Sequence, residues 1–121
     1  MKEISFYIPP EDQPNLIGIL RKHNVGGFAF FEIDGSGLTI HKPVPERVRA
    51  YMTGRKVTPE FVKINKIEVI VPDSLVDQIV NDVSDKFSSN TEKHGMIFVK
   101  DVSDVYEIGT KLKGESVLRP K

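Results

Sequence analysis

The chain has 121 residues, enough for one domain with its own core, and its 39% hydrophobic and 28% charged residues are the balance of an ordinary globular protein. Seventeen basic residues offset seventeen acidic ones, so no overall field draws the chain to nucleic acid or to an anionic membrane surface. The absence of cysteine excludes a disulfide framework, a thiol nucleophile and a thiolate metal site, and no window approaches the roughly 18 apolar residues of a spanning helix.

The opening MKEISFYIPPEDQ carries charge from its second residue and has no signal-like apolar run, so the expected location is the cytoplasm, with a membrane reached only through a partner. Within it, Ile4, Phe6 and Ile8 alternate with Ser5 and Tyr7, which predicts a strand. Pro9-Pro10 ends that strand, because proline has no donor for a ladder. Asp12 stands at a helix N-cap position with Pro14 in the first turn. Leu16, Ile19, Leu20 and His23 then share one helical face, and Asn24 with Gly26-Gly27 stops the helix. Residues 28–33 are aromatic-rich and predict a second strand.

From residue 34 to about 60 the pattern breaks, punctuated by Gly35, Gly37, Pro43, Pro45, Gly54 and Pro59. Lys42, Arg47, Arg49, Arg55 and Lys56 oppose Glu46 and Glu60 there, and a short helix over residues 46–52 fits inside it. A connection this long is either a solvated loop or a functional one. Ile67, Val69 and Val71 alternate with Lys66 and Glu68 in a third strand that Pro72 closes. Asp73 or Ser74 is the expected cap of a second helix, whose face is Leu75, Val76, Ile79, Val80, Val83 and Phe87. After the Ser88-Ser89-Asn90-Thr91 break, HGMIFVKDV supplies a fourth strand, and residues 105–108 a short fifth. The domain is expected to span residues 1–112, with 113–121 a flexible tail.

Strand, helix, strand thus occurs twice, over residues 4–33 and 64–102, and even GGFAFFEI and HGMIFVKDV echo one another. This order is that of an α+β, ferredoxin-like βαββαβ sandwich: an antiparallel sheet with two helices on one face. The open sheet face needs cover, which predicts self-association.

On that layout the sequence resembles the PII (nitrogen-regulatory P-II) signal-transduction family over nearly its whole length. MKEISFYIPP is similar to the family's first strand, and GGFAFFEIDGSG to its second strand and the Gly-x-Gly base of its T-loop. KIEVIVPDSLVDQIVNDV resembles the third strand and second helix, and HGMIFVKDV the exit of the B-loop. The resemblance implies a homotrimer with an adenine nucleotide in each inter-subunit cleft and a T-loop, here residues 36–62, that docks on a transporter, channel or enzyme. It implies ligand-binding roles for Gly35, Ser36, Gly37 and Thr39 at the T-loop base, with Lys63 beside it. Glu68, Val69 and Ile70 would face the base, Lys93, His94, Gly95 and Met96 would form the B-loop rim, and Gly109 would reach the ligand from the C-terminal end of the domain. Lys42, Arg47, Arg49, Tyr51, Arg55 and Lys56 would belong to the partner-binding loop, with Tyr51 at a position open to modification.

Several positions depart from the family pattern. Met96 replaces the B-loop lysine, Glu107 and Gly109 stand in place of the C-terminal Arg-x-Arg, and Ile64 aligns with the T-loop-base lysine. Thr39 replaces the glutamine that helps hold magnesium and 2-oxoglutarate, and Ala29 the threonine facing the adenine amino group. Charge-assisted phosphate contacts contribute about 1.5–3 kcal/mol each, so losing three favours a ligand of lower charge. AMP, ADP, a cyclic nucleotide or a small anion fits better than a magnesium-bound triphosphate.

The remaining features favour ordinary readings. His23, His41 and His94 lack ligand spacing, which argues against a metal, and no obligatory cofactor is expected. Asp101 and Asp104 fall in a strand-end turn, where carboxylates bond to backbone. No Ser/His/Asp arrangement or phosphate-binding Walker loop marks an enzyme, and the basic loop lacks the aromatic interleaving of a nucleic-acid binder. The alternatives are a nucleotide-independent trimeric binding protein of the divalent-cation-tolerance type, and a small enzyme using the same cleft.

Overall fold

Alternation in β1 (Lys2–Ile8) sends Ile4, Phe6 and Ile8 to one side, where all three are buried, and Glu3, Ser5 and Tyr7 to the other. The computed structural model describes residues 1–39, 61–88 and 94–118. Along the chain follow a 3-10 turn (Pro10–Asp12), α1 (Gln13–Lys22), β2 (Phe28–Gly35), β3 (Val62–Val71), α2 (Asp73–Lys86), β4 (Met96–Asp101) and a second 3-10 turn (Glu115–Val117). The expected helix at 46–52 falls outside the described residues.

The four strands form one antiparallel sheet in the order β2-β3-β1-β4. Ile4 lies opposite Val69 and Val99, and Phe28 opposite Val69, so these side chains share the helix-covered face. Leu16 and Leu20 of α1 and Ile79 and Val83 of α2 close that face over Ile67, Val69 and Val71, with Ile19, Leu75, Val76 and Phe87 packed around them. This is the ferredoxin-like sandwich that the double strand–helix–strand pattern predicts. No described helix is long and apolar enough to cross a membrane.

Three local expectations need correction. Asp12 occupies the N-cap position of α1 without bonding to the helix, because its carboxylate goes to His94 instead. The N-cap of α2 is Pro72, and Asp73 in the first turn holds the N-terminal amine at 2.9 Å while facing the positive end of the helix dipole. Residues 105–108 do not join the sheet. Tyr106 forms only an isolated bridge with Lys113, and Glu107 N–H bonds to the Leu112 carbonyl at 2.8 Å. Gly109 (φ +105) and Lys111 (φ +62) turn the chain so sharply that the segment pairs with itself.

Asn24 does end α1 as the sequence suggests. Its left-handed conformation (φ 57) lets its N–H reach the Arg21 carbonyl at 3.0 Å, and the chain turns toward β2.

Candidate functional site

The face of the sheet away from the helices carries the polar chemistry. Lys66 Nζ lies 2.8 Å from Glu68 Oε1 and sits between two rings, 5.5 Å from the Tyr7 centroid and 6.0 Å from that of Phe31. The hydrogen bond to Glu68 raises the pKa of Lys66 above its ordinary value, with Tyr7 adding to it and desolvation opposing. Tyr7 meets Phe98 edge-on at 5.5 Å. Ser5, buried on this side, donates to Glu3 Oε1 at 3.3 Å, and Lys100 lies 3.8 Å from the same carboxylate oxygen.

Where β2 starts, this face is hollowed into a cleft of about 460 Å³. Residues 26–29 form one wall, Glu68 and Ile70 of β3 and Glu3 of β1 the floor, and Val117 and Leu118 the far side. Among the described residues lining it, two are carboxylates and none is basic. Gly26, Gly27 and Ala29 keep the wall low enough for a flat group to approach the backbone. Ile70 offers apolar surface, while Glu68 is an acceptor for an amino group. The cleft therefore suits an uncharged or amino-bearing ring and opposes a bare phosphate.

The base of the long connection lies farther along β3. Gly35 is buried at the end of β2, and a side chain there would collide with Ile64 Cδ1 and press on Leu38. Gly37 has φ +76, a conformation natural to glycine, and Thr39 is buried beside this turn. Ser36 is exposed. Lys63 is engaged by Asp34 at 2.9 Å. Lys42, Arg47, Arg49, Tyr51, Arg55 and Lys56 lie outside the described residues, as does Lys93.

On the other edge of the sheet, the His94 ring stacks on Phe87 (5.3 Å between centroids, 16° between planes) and its Nε2 meets the Asp12 carboxylate. Gly95 follows with the backbone carbonyl of Tyr7 directly against it, leaving no room for a Cβ. His94, Gly95 and Met96 line a second hollow of about 270 Å³, walled by Phe6, Ile8, Val83 and Phe87 on the helix side of the sheet. Gly109 lies at the tip of the Tyr106–Lys113 turn, where Thr110 Oγ1 donates to Glu107 Oε1 at 2.8 Å.

The expected ligand residues are thus distributed over three places. Glu68 and Ile70 share the open-face cleft, but the Val69 side chain is 1% exposed in the helix-side core and cannot line it. Gly35–Thr39 and His94–Met96 lie at the same end of the sheet on opposite edges, since Gly35 pairs with Val62 of β3 and Met96 with Tyr7 of β1. Three strand spacings, roughly 14 Å, separate those edges.

Sequence reading did not single out Glu3, Gly26, Gly27, Val117 or Leu118 as cleft residues. The open-side parity of Glu3 was available from β1, but nothing local marks the C-terminal pair. Of the expected tail 113–121, the structure describes residues through Leu118, and Glu115–Val117 form a 3-10 turn.

Compared with known proteins, residues 1–111 match the family model described as nitrogen regulatory protein P-II. The fold is similar to the solved structure of B. subtilis GlnK, with a TM-score of 0.72, 24% sequence identity and 97% of each chain covered.

Proposed function

The chain belongs to the nitrogen regulatory protein P-II family, and from that premise we propose that it is a trimeric sensor that binds a low-charge adenine nucleotide and controls a partner protein through its long basic loop. The observation that carries the nucleotide assignment is the open-face cleft. Its glycine-bearing wall, apolar Ile70 and the Glu68 carboxylate suit an adenine ring with its exocyclic amino group. A nucleotide laid along β3 from Glu68 toward Val62 would point its phosphate toward the turn at Gly35 and Gly37, which lies six residues, about 20 Å, along the strand. Backbone N–H groups at such a turn serve phosphate oxygens.

The charge balance sets the preference among nucleotides. Met96, Glu107 and Gly109 supply no cation, and Lys63 is already paired with Asp34. AMP and ADP therefore fit better than a magnesium-bound ATP, and a small anion at the Gly35–Gly37 turn is the other ligand of this class.

Assembly follows from the placement of the two loops. A single ligand that touches both the Gly35 turn and the Gly95 turn must bridge two copies of the chain, because within one copy these turns sit on opposite sheet edges. A closed ring of three copies satisfies this and covers the open face. Residues 38–60, with Lys42, Arg47, Arg49, Arg55 and Lys56, would present basic side chains to a transporter, channel or enzyme. The role is regulatory rather than catalytic, and a cytoplasmic place of action belongs to the same proposal.

Calorimetric titration with AMP, ADP, ATP, cyclic AMP and bicarbonate, with and without magnesium, tests the reading. Magnesium-independent binding of AMP or ADP, tighter than that of ATP, is the expected result. Silence from every ligand at millimolar concentration ends the nucleotide assignment, and a monomer by sedimentation ends the shared-cleft assignment.

A further inference from the structure

Among the described residues, two histidine–aspartate pairs tie distant parts of the chain together, and one of them stands at the Gly95 rim. His23 meets Asp82 at 2.6 Å and links the end of α1 to α2, and neither residue lines a hollow. His94 meets Asp12 and links the approach to β4 with the 3-10 turn that leads into α1. This second pair is sheltered, with side chains 28% and 15% exposed, so solvent screens it less than a surface pair. A carboxylate only accepts, so the His94 Nε2 facing it carries the proton.

The tie governs more than one side chain. The His94 ring stacks on Phe87, the C-cap of α2, so the exit of that helix meets the approach to β4. Asp12 holds the same ring from a third element and makes no side-chain bond to its own helix. Gly95, one peptide bond on, is packed against the Tyr7 carbonyl of β1, which passes the position of the ring to the rim backbone. From this arrangement we infer that Asp12 is a positioning residue of the ligand site, fixing through His94 the Gly95 rim that the phosphate end of a nucleotide approaches.

The link to a nucleotide rests on the function proposed above, whereas the fixing of the rim is testable without any ligand. Gly95 and Met96 have no cationic side chain, so they offer a phosphate only backbone N–H groups. Such groups bind well when they are held in place before the ligand arrives. In the full chain, Asp12→Ala removes the tie and Asp12→Asn keeps an acceptor oxygen for the ring. Asp82→Asn breaks the other histidine–aspartate pair and is the control.

Hydrogen exchange of the amides at residues 95–97 should quicken about tenfold in Asp12→Ala, while Ile67 and Val69 in the core keep the parent's rates. At the same amides Asp12→Asn should stay within about twofold of the parent, and Asp82→Asn should match it. The His94 ring, read by nitrogen NMR, should pass from the Nε2-protonated form to a mixture of both neutral tautomers in Asp12→Ala alone. AMP affinity by calorimetry should fall roughly fivefold in Asp12→Ala and return in Asp12→Asn. Unchanged exchange at residues 95–97, or an equal quickening in Asp82→Asn, overturns the positioning role. Quickened exchange in Asp12→Ala with the parent's AMP affinity overturns it as well. Quickened exchange with no AMP or ADP binding to any form, the parent included, supports the fixed rim and sinks the nucleotide assignment instead.

Discussion

On the helix side of β1, Ile4, Phe6 and Ile8 are at most 4% exposed and belong to the apolar core, whereas on its other side Glu3 meets Lys100 and Tyr7 meets Lys66 and Phe98. The same strand therefore serves two purposes by residue parity. Burial on the helix side removes apolar area from water and offers no polar group to a ligand. The open side keeps hydrogen-bonding groups in exposed or half-exposed pairs, which contribute little to stability and can exchange partners. Stability and binding should then respond to different sets of alternating residues.

Phe6→Ala offers the largest test of that division. Deleting a fully buried ring between the two helices and the centre of the sheet should lower the unfolding free energy by about 3–5 kcal/mol, read from urea denaturation. A loss below about 1 kcal/mol would mean that the helix side is not the main stabilising face.

The two glycines Gly35 and Gly95 sharpen the comparison at the rim. At Gly95 an added methyl would press on the Tyr7 carbonyl, part of a backbone held between β3 and β4, so β4 itself would have to move. Gly95→Ala should cost about 1–3 kcal/mol of stability. At Gly35 the obstacle is Ile64 Cδ1, the end of a side chain that can rotate, so Gly35→Ala should cost visibly less. Equal losses in parallel denaturation curves would show that the turn at Gly35 is as rigid as the strand edge at Gly95.

Glu68→Gln addresses the open side. It removes a charge whose partner is Lys66 but keeps the shape, and should change stability by less than about 1 kcal/mol. In the same protein AMP affinity should fall severalfold, as an amide whose N–H₂ faces the adenine amino group replaces an acceptor. A large stability loss with unchanged affinity would reverse the proposed division between the faces.

The helix-covered half was legible because burial on one face forces a period. The spacing of Leu16, Ile19 and Leu20, and of Leu75, Val76, Ile79 and Val83, follows the helical repeat, and Ile4-Phe6-Ile8 the strand repeat. The site was less legible, because its members meet through tertiary paths. Asp12 and His94 are 82 residues apart, and the Asp12 carboxylate that capping rules assign to α1 is taken by the histidine. Val69 could have been excluded from the ligand set by its own parity, since Ile67 and Val71 share its face. Val117 and Leu118 gave no periodic signal, for two apolar residues in a polar tail acquire a meaning only when the chain has crossed the sheet.

Titration separates the faces with the smallest expected effect. On the helix side, the hydrogen bond with His23 at 2.6 Å, with Lys22 adding its charge, holds the Asp82 carboxyl below its ordinary 3.8. On the open side, the bond to Glu68 holds Lys66 above its ordinary 10.5. The signs are opposite. A carboxyl depressed in the folded state binds fewer protons than in the unfolded chain, so its contribution is complete above the ordinary value and is lost as pH falls through the folded one. An ammonium raised in the folded state keeps its proton longer, so its contribution is complete below the ordinary value and is lost as pH rises through the folded one. Asp82→Asn should therefore flatten part of the fall in stability below about pH 4, leaving the part due to Asp73, which the N-terminal amine holds down. Lys66→Met should flatten part of the fall above about pH 10, leaving the part due to Lys2, which Asp101 holds up, and leave the acid side as it was. Urea midpoints collected across both ranges read the two limbs separately. An acid limb that moved with Lys66, or an alkaline limb that moved with Asp82, would show the two faces to be coupled through the sheet rather than divided by it.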